Sequence, residues 1–158
     1  MADTIRSRPP APPATESILR DALLGSRVIA VVGLSPNPAR PSHEVARFLQ
    51  AQGKRIVPVN PGQAGREILG ETVLARVEDI APEAGVDMID LFRRSEHVGP
   101  IVTAALAALP GLRTVWMQLG VTDAAAAAQA AQAGCLVVMD RCPKIEWARL
   151  GLPSSAPG

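Results

Sequence analysis

Five short apolar runs, each but the last leading into a longer connecting segment, constrain this chain more than any other feature. Residues 27–34 read RVIAVVGL, 55–59 RIVPV, 88–92 MIDLF, 114–118 TVWMQ and 135–139 CLVVM. Runs that are apolar at consecutive positions suit strands covered on both faces, as in a buried parallel sheet. Between them the pattern predicts a helix reaching residue 52, a second over 96–109 ended by Pro110-Gly111, and a third over 122–133 closed by Gly134. The alanine tract 124–131 fits the third helix, since alanine is the best helix former and lets a helix approach a sheet closely. Segment 62–85 shows only a helical turn near 77–80.

Five parallel strands joined by right-handed helical crossovers make a doubly wound α/β sandwich with helices on both faces. The expected strand order is 3-2-1-4-5, with the winding reversing beside strand one. A ligand is then expected in the crevice outside the carboxyl ends of strands one and four, so functional side chains should follow strands. A length of 158 residues suits one domain, placed at 15–150. Residues 1–14, with SRPPAPPA, are expected to be a disordered proline-rich arm, and 151–158 a flexible tail. Thr15 is expected to cap a short helix carrying Ile18, Ala22 and Leu23 that Gly25 stops.

Charge and composition narrow the function classes. Sixteen basic against fifteen acidic side chains leave +1, too little to hold nucleic acid or an anionic membrane by bulk charge. No Tyr, two Phe and two Trp leave no stacking platform for single strands. Cys135 and Cys142 lie seven apart, outside any CxxC framework, and read as reduced thiols. The start MADTIRSRPP has no apolar leader core and no later run reaches eighteen apolar residues, so a soluble, cytoplasmic protein is expected.

Polar residues gather just after the strands. Gly33 lets a ligand approach the backbone, Ser42 can cap the next helix, and its dipole end attracts phosphate, with Arg40 and His43 beside it. This loop is not GxGxxG. Strand two ends at Asn60-Pro61, where a NAD-binding unit carries a carboxylate. Strand three ends at Phe92-Arg93-Arg94-Ser95, and two arginines at a helix start are unfavourable without an anion. Strand four ends at Gln118-Leu119-Gly120, after a Trp116 expected in the core. Strand five runs into Asp140-Arg141-Cys142, where Arg141 pairs with Asp140 or Glu146 or meets substrate. Cys142 is a reactive thiol or a small buried hydrophobe. Ser42 and His43 lack an Asp orienter, so a Ser-His hydrolase is not expected.

The stretches VVGLSPNPARPSHEVARFLQ, VPVNPG, EILGE, DLFRRSE, VWMQLGV and VVMDRCPKIE together resemble the small single-domain CoA-binding proteins, which are similar to the CoA-binding domain of succinyl-CoA synthetase α subunits. The resemblance covers about residues 16–150 and implies a Rossmann-like domain holding the ADP moiety of coenzyme A or an acyl-CoA. It places Gly33, Ser35, Arg40 and Ser42 around phosphate, Asn60 and Pro61 on the nucleotide side, and Phe92 and Arg93 beside adenine or phosphate. Gln118 and Gly120 would face the pantetheine path. The family's larger enzymes carry a second domain with a phosphorylated histidine, which this chain lacks, so binding without catalysis is expected. The alternatives are a nicotinamide-dependent oxidoreductase, a subunit of a CoA ligase or transferase, and a CoA-responsive interaction module. A homodimer or a CoA-dependent protein partner stays open.

Overall fold

The computed structural model describes residues 14–154. Apart from Ala14, the expected arm lies outside the described residues, as does the tail from 155 onward. Helix α1 (Glu16–Gly25) begins where Thr15 Oγ1 accepts the Ile18 N–H at 3.2 Å. Five parallel strands follow: β1 (Val28–Val32), β2 (Arg55–Val59), β5 (Met88–Leu91), β6 (Thr114–Met117) and β7 (Leu136–Val138). They alternate with α2 (Pro41–Ala51), α3 (Ser95–Ala108), α4 (Ala124–Gln132) and α5 (Pro143–Arg149). The segment without a clear pattern holds a small antiparallel pair, β3 (Glu67–Ile68) and β4 (Glu71–Thr72).

The sheet runs β2-β1-β5-β6-β7. Beyond β2 a single parallel bridge joins Val59 to Leu74, with Asn60 N–H on the Leu74 carbonyl at 2.8 Å and Leu74 N–H on that of Pro58 at 3.0 Å. Counted as the third segment, this bridge gives the expected 3-2-1-4-5 succession by position, with β7 outermost. The strand over 88–91 is then the fourth, not the third, and pairs with β1 from Ile29↔Met88 to Val32↔Leu91. Winding therefore reverses between β1 and β5. The crevice moves one strand from where a pairing of strand one with 114–118 would put it.

Successive strand residues face opposite sides, so one apolar run supplies two cores. Ala30, Val32, Ile89, Leu91, Val115 and Met117 pack with Val98, Val102, Ala126 and Ala127 of α3 and α4. Ile29, Val31, Met88 and Trp116 pack with residues of α1, α2 and α5, among them Leu19, Leu23, Val45, Leu49 and Trp147. Asp90 breaks the pattern: it is 0% exposed, sits between Val31 and Trp116 in register, and neither carboxylate oxygen has a partner. Burial pushes its pKa well above the usual carboxylate value.

Helix α5 follows the last strand and is only seven residues long, so tertiary contacts must hold it. Trp147 meets Phe48 edge-on at 5.9 Å, and Lys144 Nζ reaches Glu44 Oε1 at 2.6 Å. Buried Glu146 accepts from Arg141 and, at 2.7 Å, from Arg149. Burial alone would raise the Glu146 pKa, but these hydrogen bonds prevail and hold it below the usual value. The packed part runs past residue 150, because Leu152 is buried and its N–H bonds the Trp147 carbonyl at 3.1 Å.

Candidate functional site

The turn after β1 is built by close backbone approach. Gly33 has φ +90° and donates its N–H to the Val59 carbonyl at 2.7 Å. A Cβ there would lie 2.5 Å from the Phe92 carbonyl oxygen and 3.1 Å from its carbon. Only glycine lets β1 and β5 end this near each other.

The loop that follows is internally braced. Ser35 donates its N–H to Ser42 Oγ at 2.9 Å, and its hydroxyl accepts the Asn37 N–H at 3.1 Å. His43 Nδ1 lies 2.9 Å from the Ser35 carbonyl, which can only accept, so the proton is on Nδ1. Asn37 Oδ1 takes the Ala39 N–H at 3.0 Å. Ser42 was expected to cap α2, but its hydroxyl turns to the loop and the N-cap is Arg40, which makes no side-chain cap bond. Pro41 has no N–H to satisfy, and the positive helix end keeps an exposed arginine beside it. That arrangement favours an anion.

Asn60 acts as a second brace. Its Nδ2 donates to the Leu34 carbonyl at 3.0 Å and its Oδ1 accepts the Gly62 N–H at 3.0 Å, which ties the turns after β1 and β2 together. Gly33, Asn60, Phe92, Arg93, Arg94 and His97 line a polar cleft of about 290 Å³. Beside it lies an apolar pocket of about 310 Å³, floored by Val32, Val59, Pro61, Val77, Ile101 and Ala104. Arg93 and His97 border both.

Of the ten residues singled out from the sequence, Gly33, Asn60, Phe92 and Arg93 meet in the polar cleft and Pro61 in the apolar pocket. Ser35 and Ser42 brace the loop, and Arg40 stands at the start of α2. Gln118 and Gly120 line neither space and lie one strand further along. Gln118 is buried with Oε1 unpartnered, while Gly120 donates its N–H to Asp140 Oδ1 at 2.7 Å. Cys142 packs in the core, Arg141 pairs with Glu146, and Trp116 is fully buried with Nε1 on the Arg141 carbonyl at 2.8 Å.

Sequence reasoning missed Arg76, Glu78 and His97 on the pocket wall. His97, Pro100, Ile101 and Ala104 recur at i, i+3, i+4 and i+7, the spacing of one helix face, so α3 carried a readable signal. The 3-10 turn over Val77–Asp79 fits the helical turn expected near 77–80, but nothing in the sequence marked Arg76 or Glu78 as pocket wall.

The model of the CoA binding domain family matches residues 27–148. The uncharacterized protein YneT of Bacillus subtilis strain 168 is 33% identical over 127 residues, covering 80% of this chain and 90% of that one. The solved cell-free ID.343 protein of Thermus thermophilus superposes with TM-score 0.78 at 35% identity, over 87% of this chain and 99% of its own. A hypothetical protein from Pyrococcus horikoshii OT3 gives TM-score 0.79 at 30% identity, over 92% and 99% respectively. With the family match spanning most of the folded length and the braced, glycine-gated cleft at the sheet's switch point, this chain belongs to the CoA binding domain family.

Proposed function

We propose that the protein binds coenzyme A or an acyl-CoA through its ADP part and performs no catalysis of its own. One observation carries the reading: a polar cleft lined by Gly33 and Arg93 adjoins an apolar pocket, sharing Arg93 and His97 with it, at the point where the sheet reverses its winding. The diphosphate lies in the cleft against Arg93, with Arg40 and the positive end of α2 at its edge. The adenine enters the pocket over Val59, Val77 and Ile101, where Gly33 leaves the chain low enough for the ribose to cross.

A charge-assisted hydrogen bond contributes about 1.5–3 kcal/mol net. Two or three, less the cost of ordering, support micromolar affinity of about −8 kcal/mol. The Ser42 hydroxyl accepts the Ser35 N–H and His43 Nδ1 donates to the Ser35 carbonyl, so both side chains brace the loop, and no hydrogen bond joins them to each other among the described residues.

Thermal shift with CoA, dephospho-CoA, ADP and NAD tests the ligand class. CoA is expected to raise Tm most, and no CoA-dependent shift at any salt concentration overturns the reading. Arg40→Ala and Arg93→Ala are each expected to weaken CoA about tenfold while the domain stays folded, a loss matching one charge-assisted contact. Unchanged affinity in both variants removes the cleft as the site. Turnover of acyl-CoA by the isolated chain would overturn the non-catalytic part.

A further inference from the structure

We infer that Arg76 reads the ribose 3′-phosphate and so makes the site selective for 3′-phosphorylated adenine nucleotides over NAD, ADP and dephospho-CoA. The inference rests on the nucleotide placement proposed above. Arg76 lines the apolar pocket but not the polar cleft, whereas Arg93 borders both. With the base in the pocket and the diphosphate in the cleft, the ribose spans the wall they share. A charged group on its 3′ carbon then lies at the base-side edge, where Arg76 stands in addition to the shared Arg93.

The local chain keeps this guanidinium available. Two acidic residues follow closely, Glu78 and Asp79, yet neither forms an ion pair with Arg76 among the described residues. Asp79 Oδ2 instead accepts the Arg76 backbone N–H at 3.1 Å, which fixes the bend from which the side chain projects. The bend continues into a 3-10 turn over Val77–Asp79, and buried Val77 anchors it in the core. The base-side edge thus has a fixed backbone and a cation that, among the described residues, makes no ion pair. A guanidinium fork matches a terminal phosphate in charge and shape. NAD and ADP, with only hydroxyls on that ribose, offer it nothing of the kind.

Titration calorimetry on the full chain, with CoA and dephospho-CoA as paired ligands, tests this at low and high salt. The wild-type chain is expected to favour CoA by about tenfold at low salt and by less as salt rises, because Arg76 is exposed. Arg76→Ala should bring the two affinities together by weakening CoA alone, leaving dephospho-CoA within about twofold, and Arg76→Lys should restore part of the preference. Arg93→Ala should weaken both ligands alike, since both carry the diphosphate. Equal affinity of the wild type for the two ligands, or a preference that survives Arg76→Ala, overturns the role of Arg76 and leaves CoA binding standing. Binding of neither ligand brings down the proposed function and this inference together. A matched Tm for ligand-free wild type and Arg76→Ala shows that any change in preference comes from the missing side chain.

Discussion

Gly33→Ala is expected to abolish measurable CoA binding and to lower stability by at least about 1–3 kcal/mol, the cost of forcing a residue with a side chain into positive φ. The new methyl would sit 2.5 Å from the Phe92 carbonyl oxygen, a backbone atom that cannot swing aside as a side-chain tip would. Relief requires the ends of β1 and β5 to part. That movement also displaces Arg93, whose Cδ lies 3.3 Å from the same point. Gly70→Ala is the control: φ is +82° there, but nothing lies within 4 Å of the added methyl. It should share the backbone cost and keep CoA affinity. Denaturant melts with calorimetry separate the two, and a Gly33→Ala chain that binds CoA normally would remove the close approach from the site's design.

Replacing Asp90 should have the opposite sign. Its pKa is raised in the folded state, so the chain binds a proton there that the unfolded chain releases above its ordinary value near 3.8. Its favourable contribution is complete below that value and is lost as pH climbs toward the folded pKa, at about 1.4 kcal/mol per pH unit. Asp90→Asn keeps the shape and abolishes the ionisation. Asp90→Leu also removes the two unpartnered oxygens, each buried polar group costing about 1–3 kcal/mol when unsatisfied. We expect Asp90→Leu to be more stable than wild type, and the gain to be larger at pH 8 than at pH 5. Asp90→Asn should lose the pH slope with a smaller gain. A wild-type stability that does not fall over that range relative to Asp90→Asn would contradict the buried neutral acid. Glu146 acts in the other direction. Its depressed pKa gives stability that is present above the unfolded value and lost as pH falls through the folded one.

The strands and the three long helices were legible because their residues obey one periodicity throughout. Residues 88–91 read as a strand but not as the neighbour of β1. Apolar runs report burial, and all four strands other than the β7 edge are buried nearly alike, so lateral order is not written in them. Helix α5 was missed because contacts with α2, Trp147 on Phe48 and Lys144 on Glu44, hold it, not its own seven residues. The misreading of Ser42 has a similar cause. A serine near a helix start caps by default, but here the Ser35 N–H competes for the same oxygen and wins. Gly33 and Arg93 could be identified because a strand end followed by glycine or by uncompensated cations says something about chemistry before any packing is known. Arg76 could not, since its significance depends on a bend that places it opposite α3.

Asn60 has one further consequence. Both ends of its amide are occupied by main-chain groups of two separate turns, and the Ser35 bonds fasten the first of these turns to α2. Under the proposed binding, an incoming molecule would meet a rim already braced by these bonds, so the protein would surrender little freedom at the moment of capture. Such a receptacle would sense occupancy poorly through its own deformation, and any partner that reads occupancy would have to touch the ligand itself.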